Sequence, residues 1–195
     1  MLLLRRPTTA QIDEFLKQRE NDTFSYPEIR VTRKLKPPRG YNIDHNRQLL
    51  GKGIDVFDKA KNAIRQWKMF EVPGLELFYP DTPIEPGRNV APLAYHLGFW
   101  SLNSCRIVYV IDEPERFGFA YGTLTEHVEI GEERFIVELH ADTDEVWYDI
   151  LAFSKPGPLL IKLGYPYSRY KQKQFAVGSK AAMQKAVGDE QISGR

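Results

Sequence analysis

The stretch RFGFAYGTLTEHVEIGEERFIVELHADTDEVWYDILAFSKP, Arg116 to Pro156, decides the fold. Phe117, Phe119 and Tyr121 alternate with Gly118, Ala120 and Gly122, a period of two that puts all the bulk on one face of a strand. A turn around Glu126 to Gly131 leads into a second strand, where Phe135, Val137 and Leu139 alternate with Arg134, Ile136 and Glu138. The polar run Ala141 to Asp144 makes the next turn, before a third strand from Val146 to Phe153. Three strands joined by short turns form an antiparallel meander.

Upstream the pattern continues. Leu75 to Tyr79, Val90 to Leu97 and Arg106 to Ile111 are strands, with Ile107, Tyr109 and Ile111 alternating in the last. Pro92 lacks a ladder donor and marks an edge or bulge, and Gly98 to Ser104 is expected to turn. Before the meander, Tyr41 to Leu50 is a strand in which Tyr41, Ile43 and His45 alternate with polar residues. Gly51-Lys52-Gly53 ends it and a helix follows, its apolar stripe formed by Val56, Phe57, Ala60, Ala63, Ile64 and Trp67. The two glycines lack the spacing and the Lys-Ser/Thr pair of a phosphate loop. Residues 8–19 form a short helix capped by Thr8 or Thr9. After Pro156 the chain is helical, with a kink or restart at Gly164-Tyr165-Pro166, and a stripe from Tyr167 through Tyr170, Gln174 and Phe175 to Met183.

The expected fold class is α+β: a curved antiparallel sheet whose concave face is covered by a long C-terminal helix. Three segments are expected: 1–40, a helix and extended arm; 41–188, the sheet-and-helix domain; and 189–195, a frayed tail. The 195 residues carry a net charge of +1 and one cysteine, Cys105. No whole-molecule field points to nucleic acid, and a lone cysteine on an apolar strand predicts an inert buried thiol in a reducing compartment. Three leucines in the opening MLLLRRP fall short of a signal peptide, and no run approaches a membrane span. The expectation is a soluble cytoplasmic protein. Arg30, Arg33, Lys34, Lys36 and Arg39 form a basic arm without an acid among them; it either grips an anionic partner or is a solvated edge.

The segments GFAYGTLTEHVEIGEERFIVE, VWYDILAFSKP and GYPYSRYKQKQF resemble the uncharacterised DUF1990 family, also called UPF0548, over about Tyr26 to Met183. That family resembles the START/Bet v 1-like (SRPBCC) superfamily. The resemblance implies a helix-grip fold that holds a hydrophobic ligand between the sheet and its last helix, and it implies a fold far more than a function.

Candidate site residues follow from the faces. Glu133 shares the inward side of its strand with Phe135, where a carboxyl beside an apolar pocket has a raised pKa and can act as acid or base; in water, or paired with Arg106 or Arg134, it does neither. His127, in the turn beside Glu126 and Glu129, is the second acid–base candidate. A ligand is expected to meet Tyr109, Phe119, Tyr121, Glu133, Phe135 and Tyr148 from the sheet, and Tyr167 and Arg169 from the helix. The same aromatic stripes also serve simply to build a core. The four histidines lack metal-ligand spacing, His140 to Glu145 lacks the glycine and distal glutamate of a calcium loop, and Ser154 lacks a nucleophile elbow. No metal or cofactor is expected. The leading expectation is a binding module for a small hydrophobic ligand. An enzyme of lyase, cyclase or hydrolase type using Glu133 or His127 stands beside it, as does a non-catalytic interaction protein.

Overall fold

The computed structural model describes residues 1–34, 38–125, 127–157 and 165–189, and only the backbone of Tyr165, Ser168 and Asp189. The elements are β1 (Leu2–Leu3), α1 (Thr9–Gln18), a 3-10 turn (Val31–Lys34), β2 (Asn42–Lys52), α2 (Ile54–Arg65), a second 3-10 turn (Lys68–Phe70), β3 (Leu75–Phe78), β4 (Asn89–His96), β5 (Phe99–Leu102), β6 (Cys105–Glu113), β7 (Arg116–Thr123), β8 (Glu129–His140), β9 (Glu145–Pro156) and α3 (Tyr165–Asp189). The strands form one antiparallel sheet in the order β1-β5-β4-β6-β7-β8-β9-β2, with β3 also on β4. Glu126, the apolar patch at 159–163, Gly164 and the tail at 190–195 lie outside the described residues.

The meander runs from β6 to β9, with β7 to β9 following the alternation predicted for them, and β2 joins its far edge by pairing with β9. Between β4 and β6 two features depart from the sequence reading, and β8 begins at Glu129, inside the turn expected over Glu126 to Gly131. The stretch after Gly98 is not a long turn: Leu97 and Gly98 both have positive φ (51° and 83°) and make a two-residue loop, so that His96 pairs with Phe99 and β5 begins at once. The second departure is in β6. Ile107 pairs with Tyr121, but Tyr109 pairs with Ala120, so Val108 is an extra residue. This bulge reverses the alternation, leaving Ile107 on the concave side and moving Tyr109 and Ile111 to the convex side. Pro92 sits where β4 changes partner between β6 and β5; its carbonyl accepts from the Asn103 amide at 3.0 Å, and no ladder donor is needed there.

Small residues on the convex side of β7 let the N-terminal segment lie against the sheet. A side chain at Gly122 would run into Tyr26 and Phe24. Ser25 is tied to Thr123, Phe24 bridges Leu124, and β1 and α1 pack at the β4–β5 end through Ile12, Phe15, Ala91, Leu93 and Leu102. Thr8 caps α1 in a reciprocal box with Gln11. Residues 30–34 are anchored by Glu132, a buried carboxylate on the outward side of β8. It accepts from the Tyr26 hydroxyl (2.9 Å), the amides of Arg30 (2.8 Å) and Thr32 (3.1 Å), and the Thr32 hydroxyl. Arg134 faces the same way and pairs with Asp149 at 2.5 Å instead of Glu133, because neighbouring strand residues face opposite sides.

On the concave side, α2 and the C-terminal half of α3 fill one end. Phe57, Ala60, Ile64 and Trp67 pack with Phe117, Phe119, Phe135, Val137, Val146, Tyr148 and Met183 in the largest apolar cluster. Gly53, at φ 92°, starts α2 in a conformation that favours glycine. Pro166 falls in the first turn of α3, where its missing N–H costs nothing.

Candidate functional site

The same strand faces that build this core continue past it into open space. Each inward series can be followed from packed to unpacked: Phe117, Phe119 and Tyr121, then Thr123 on β7; Val137 and Phe135, then Glu133 on β8; Val146, Tyr148 and Ile150, then Ala152 and Ser154 on β9. The later members line a cavity of about 490 Å³ between the sheet and α3. Phe70, Val72, Leu75 and Phe175 supply apolar walls, and Pro92, Ala94, His96, Ser101 and Asn103 close the β4–β5 side.

The candidates therefore separate. Tyr121, His127, Glu133 and Tyr167 line the cavity. Phe119 and Phe135 are fully buried in the core, packed against Trp67 and against Phe70 and Phe175. Tyr148 is also buried, its hydroxyl bonded to Ser179 of α3 at 2.8 Å. Tyr109 stands on the opposite side of the sheet because of the bulge at Val108, and its hydroxyl is 2.7 Å from that of Thr32; burial pushes its pKa up to about 12. Arg169 is held by Asp44 in a two-pronged pair of 2.5 and 2.7 Å.

Polar groups concentrate at the Glu133 end. The Tyr121 hydroxyl donates to Glu133 at 2.8 Å, cross-strand, in the register that pairs the two residues. Burial raises the Glu133 pKa to about 8; the bond from Tyr121 opposes this, and the nearby charges of Glu129 and Asp44 add to it. Glu129, four residues earlier and also on the cavity, is raised to about 7 by burial, against the bond from Gln172 and the charge of Arg169. Gln172 also donates to Ser154 at 2.9 Å, and its side-chain oxygen accepts from Arg169. The His127 Nδ1 accepts the Glu129 amide proton at 2.9 Å, and burial lowers its pKa to about 3, so the ring is neutral with its hydrogen on Nε2. At the other side, the His96 ring is 6.0 Å from that of Tyr167; its pKa is lowered by burial and by Lys171.

Glu129 and Asp44 were not among the sequence candidates. Glu129 had a signal, since it repeats the inward phase of Glu133. Asp44 had none: in the sequence it is one of the polar residues with which Tyr41, Ile43 and His45 alternate. Ile43 is 52% exposed, His45 bonds Asp149 at 2.6 Å on the outer side, and Asp44 and Asn46 line the cavity. An edge strand beside an open cavity carries its polar residues inward. Among the described residues, no group of three or more histidine, cysteine or acidic side chains is placed to hold a metal, and no helix is long and apolar enough to cross a membrane.

A family model described as a domain of unknown function, DUF1990, matches residues 25–182. The chain is 36% identical over 211 residues to a UPF0548 protein of Dictyostelium discoideum, covering 98% of each chain. It is 38% identical over 201 residues to a UPF0548 protein of Arabidopsis thaliana, covering 93% of this chain and 95% of that one. Among solved structures, that of Ara h 8.0201 superposes with a TM-score of 0.50 at 14% identity, over 76% of this chain and 98% of that one, a likeness of fold alone. The architecture is the helix-grip fold of the Bet v 1-like proteins. Since the matched segment takes in the whole meander and most of the gripping helix, the chain belongs to the DUF1990 family, also named UPF0548.

Proposed function

We propose that this protein binds a small, largely apolar ligand in the cavity between its sheet and α3, with the ligand's polar end at Glu133, Glu129 and Tyr121. The observation that carries this reading is the cavity itself: about 490 Å³, walled by Phe70, Val72, Leu75 and Phe175, with polar side chains converging at one end. Binding sites for small molecules have this size and this composition.

The test uses N-phenyl-1-naphthylamine, an uncharged apolar fluorophore whose emission rises in a dry environment. Saturable enhancement by the purified chain is expected, and its loss in Ala152→Phe, which puts a ring where the cavity lies. No saturable binding, or equal binding by Ala152→Phe, overturns the reading. A second reading is acid–base catalysis by Glu133. It is favoured by one observation, a carboxyl raised to about 8 within reach of a bound molecule. For that reading, Glu133→Gln would retain ligand and abolish turnover.

A further inference from the structure

We infer that the ligand of this cavity carries a protonated amine, seated against Glu133 and Glu129, with its apolar body along Phe70 and Phe175. The inference rests on the cavity binding a ligand at all, and adds the chemical class of its head.

Hydrogen-bond acceptors outnumber free donors at the Glu133 end. The Tyr121 hydroxyl has one hydrogen, and Glu133 receives it. The Gln172 amide nitrogen donates to Glu129 and to Ser154. The Arg169 guanidinium is committed to Asp44 and to the Gln172 oxygen. The donors of Tyr121, Gln172 and Arg169 are thus already engaged and the Ser154 hydroxyl bonds Glu129, which leaves the His127 Nε2 hydrogen, the Asn46 amide on β2 and any proton on the acids themselves. What faces the open space is a set of oxygen lone pairs on two glutamates. A ligand rich in acceptors, such as a carboxylate or phosphate, meets few donors there. An ammonium group has three donors and no acceptor, which is the complement of this inventory.

Charge points the same way. Asp44, Glu129 and Glu133 line the cavity, and Arg169 answers Asp44. Lys171 also lines it, beside His96 on the β4 side. The charged groups that act on Glu133 are Glu129 and Asp44, both acidic. From the other packed elements, Tyr121, Tyr148, Cys105 and His127 face this region, and all are neutral at pH 7. The Phe70 ring stands 6.0 Å from that of Tyr121 and 5.5 Å from that of Phe175, centre to centre, and ring faces attract a cation. The cavity and its rings make the site; the carboxyls set its sign.

The experiment compares three probes of one skeleton, 2-(1-naphthyl)ethylamine, 2-(1-naphthyl)ethanol and 1-naphthylacetic acid, by titration calorimetry on the full chain. At pH 8 the amine is expected to bind roughly 10-fold or more tighter than the alcohol, as a charge-assisted hydrogen bond allows, and the acid more weakly than both. Amine binding at pH 7 should release protons, seen as a dependence of the heat on buffer ionisation enthalpy, because an ammonium drives a protonated glutamate to ionise. Amine affinity should accordingly rise from pH 6 to 8. In Glu133→Gln the advantage of the amine over the alcohol should collapse. Equal or tighter binding of the alcohol, preference for the acid, or an amine preference that survives in Glu133→Gln overturns the inference. If the alcohol binds as tightly as the amine and Ala152→Phe blocks both, the cavity reading stands while the amine head falls; if none of the three binds, both fall.

Discussion

Replacing Glu133 by glutamine should make the protein more stable at alkaline pH, although the residue is hydrogen-bonded and mostly buried. Its carboxyl goes from an ordinary 4.5 to about 8 on folding. Between those values the folded chain holds a proton that the unfolded chain has lost, so stability falls as the pH rises through that window and levels off above it. A gap of about 3.5 pH units at 1.36 kcal/mol each sets an upper limit near 5 kcal/mol. Water reaching the side chain through the open cavity screens this to roughly half, about 2 to 3 kcal/mol. Glutamine has the shape of the protonated acid and an oxygen to accept from Tyr121, so at pH 5 the two proteins should differ by less than about 1 kcal/mol. At pH 9 the variant should be ahead by about 2 to 3 kcal/mol, or roughly 5 to 10 °C in Tm for a chain of this size. Urea or thermal melts at pH 5, 7 and 9 read the difference directly. A gap that is the same at pH 5 and 9, or a variant less stable than the parent at pH 9, would refute the placement of this carboxyl in a poorly solvated, acid-lined space.

Other expectations can be checked in parallel. His127, lowered to about 3 on folding, binds fewer protons folded than unfolded between about pH 3 and 6.5, so its contribution to stability is present above that window and lost as the pH falls through it; proton NMR should show its ring unchanged from pH 8 to pH 5, and a midpoint near 6.5 would count against its half-buried, amide-bonded position. Tyr148→Phe strands the buried Ser179 hydroxyl and should cost about 1 to 2 kcal/mol in urea melts. Gly122→Val drives a side chain into Tyr26 and should cost about 1 to 3 kcal/mol, with faster protease cleavage near residues 24–34; unchanged cleavage would mean that the N-terminal segment is not held there. Tyr109→Phe should leave fluorophore binding unaltered while Tyr121→Phe changes it, since only the latter ring reaches the cavity; the reverse result would deny the bulge at Val108.

Much of the framework was legible in the residues, because it depends on local periodicity. Alternation in Phe117–Gly122 and Arg134–Leu139, the glycines before α2, and Pro166 at the start of α3 define strands, turns and helices whichever chain segments they meet later. The inward phase of Glu133 followed from the same period. Tertiary structure decided what periodicity cannot carry. One inserted residue, Val108, reversed Tyr109, and a bulge has no signature in a run of apolar residues. Phe119, Phe135 and Tyr148 became core and Tyr121 and Glu133 became cavity wall although they lie on the same faces, because α2 and α3 reach only part of the sheet. Asp44, Glu129 and Gln172 meet from three separate segments, and their shared electrostatics exists only once the sheet has curled and the last helix has crossed it. Strand and helix character belongs to neighbours in sequence; the border between packed and open space belongs to the distances between elements.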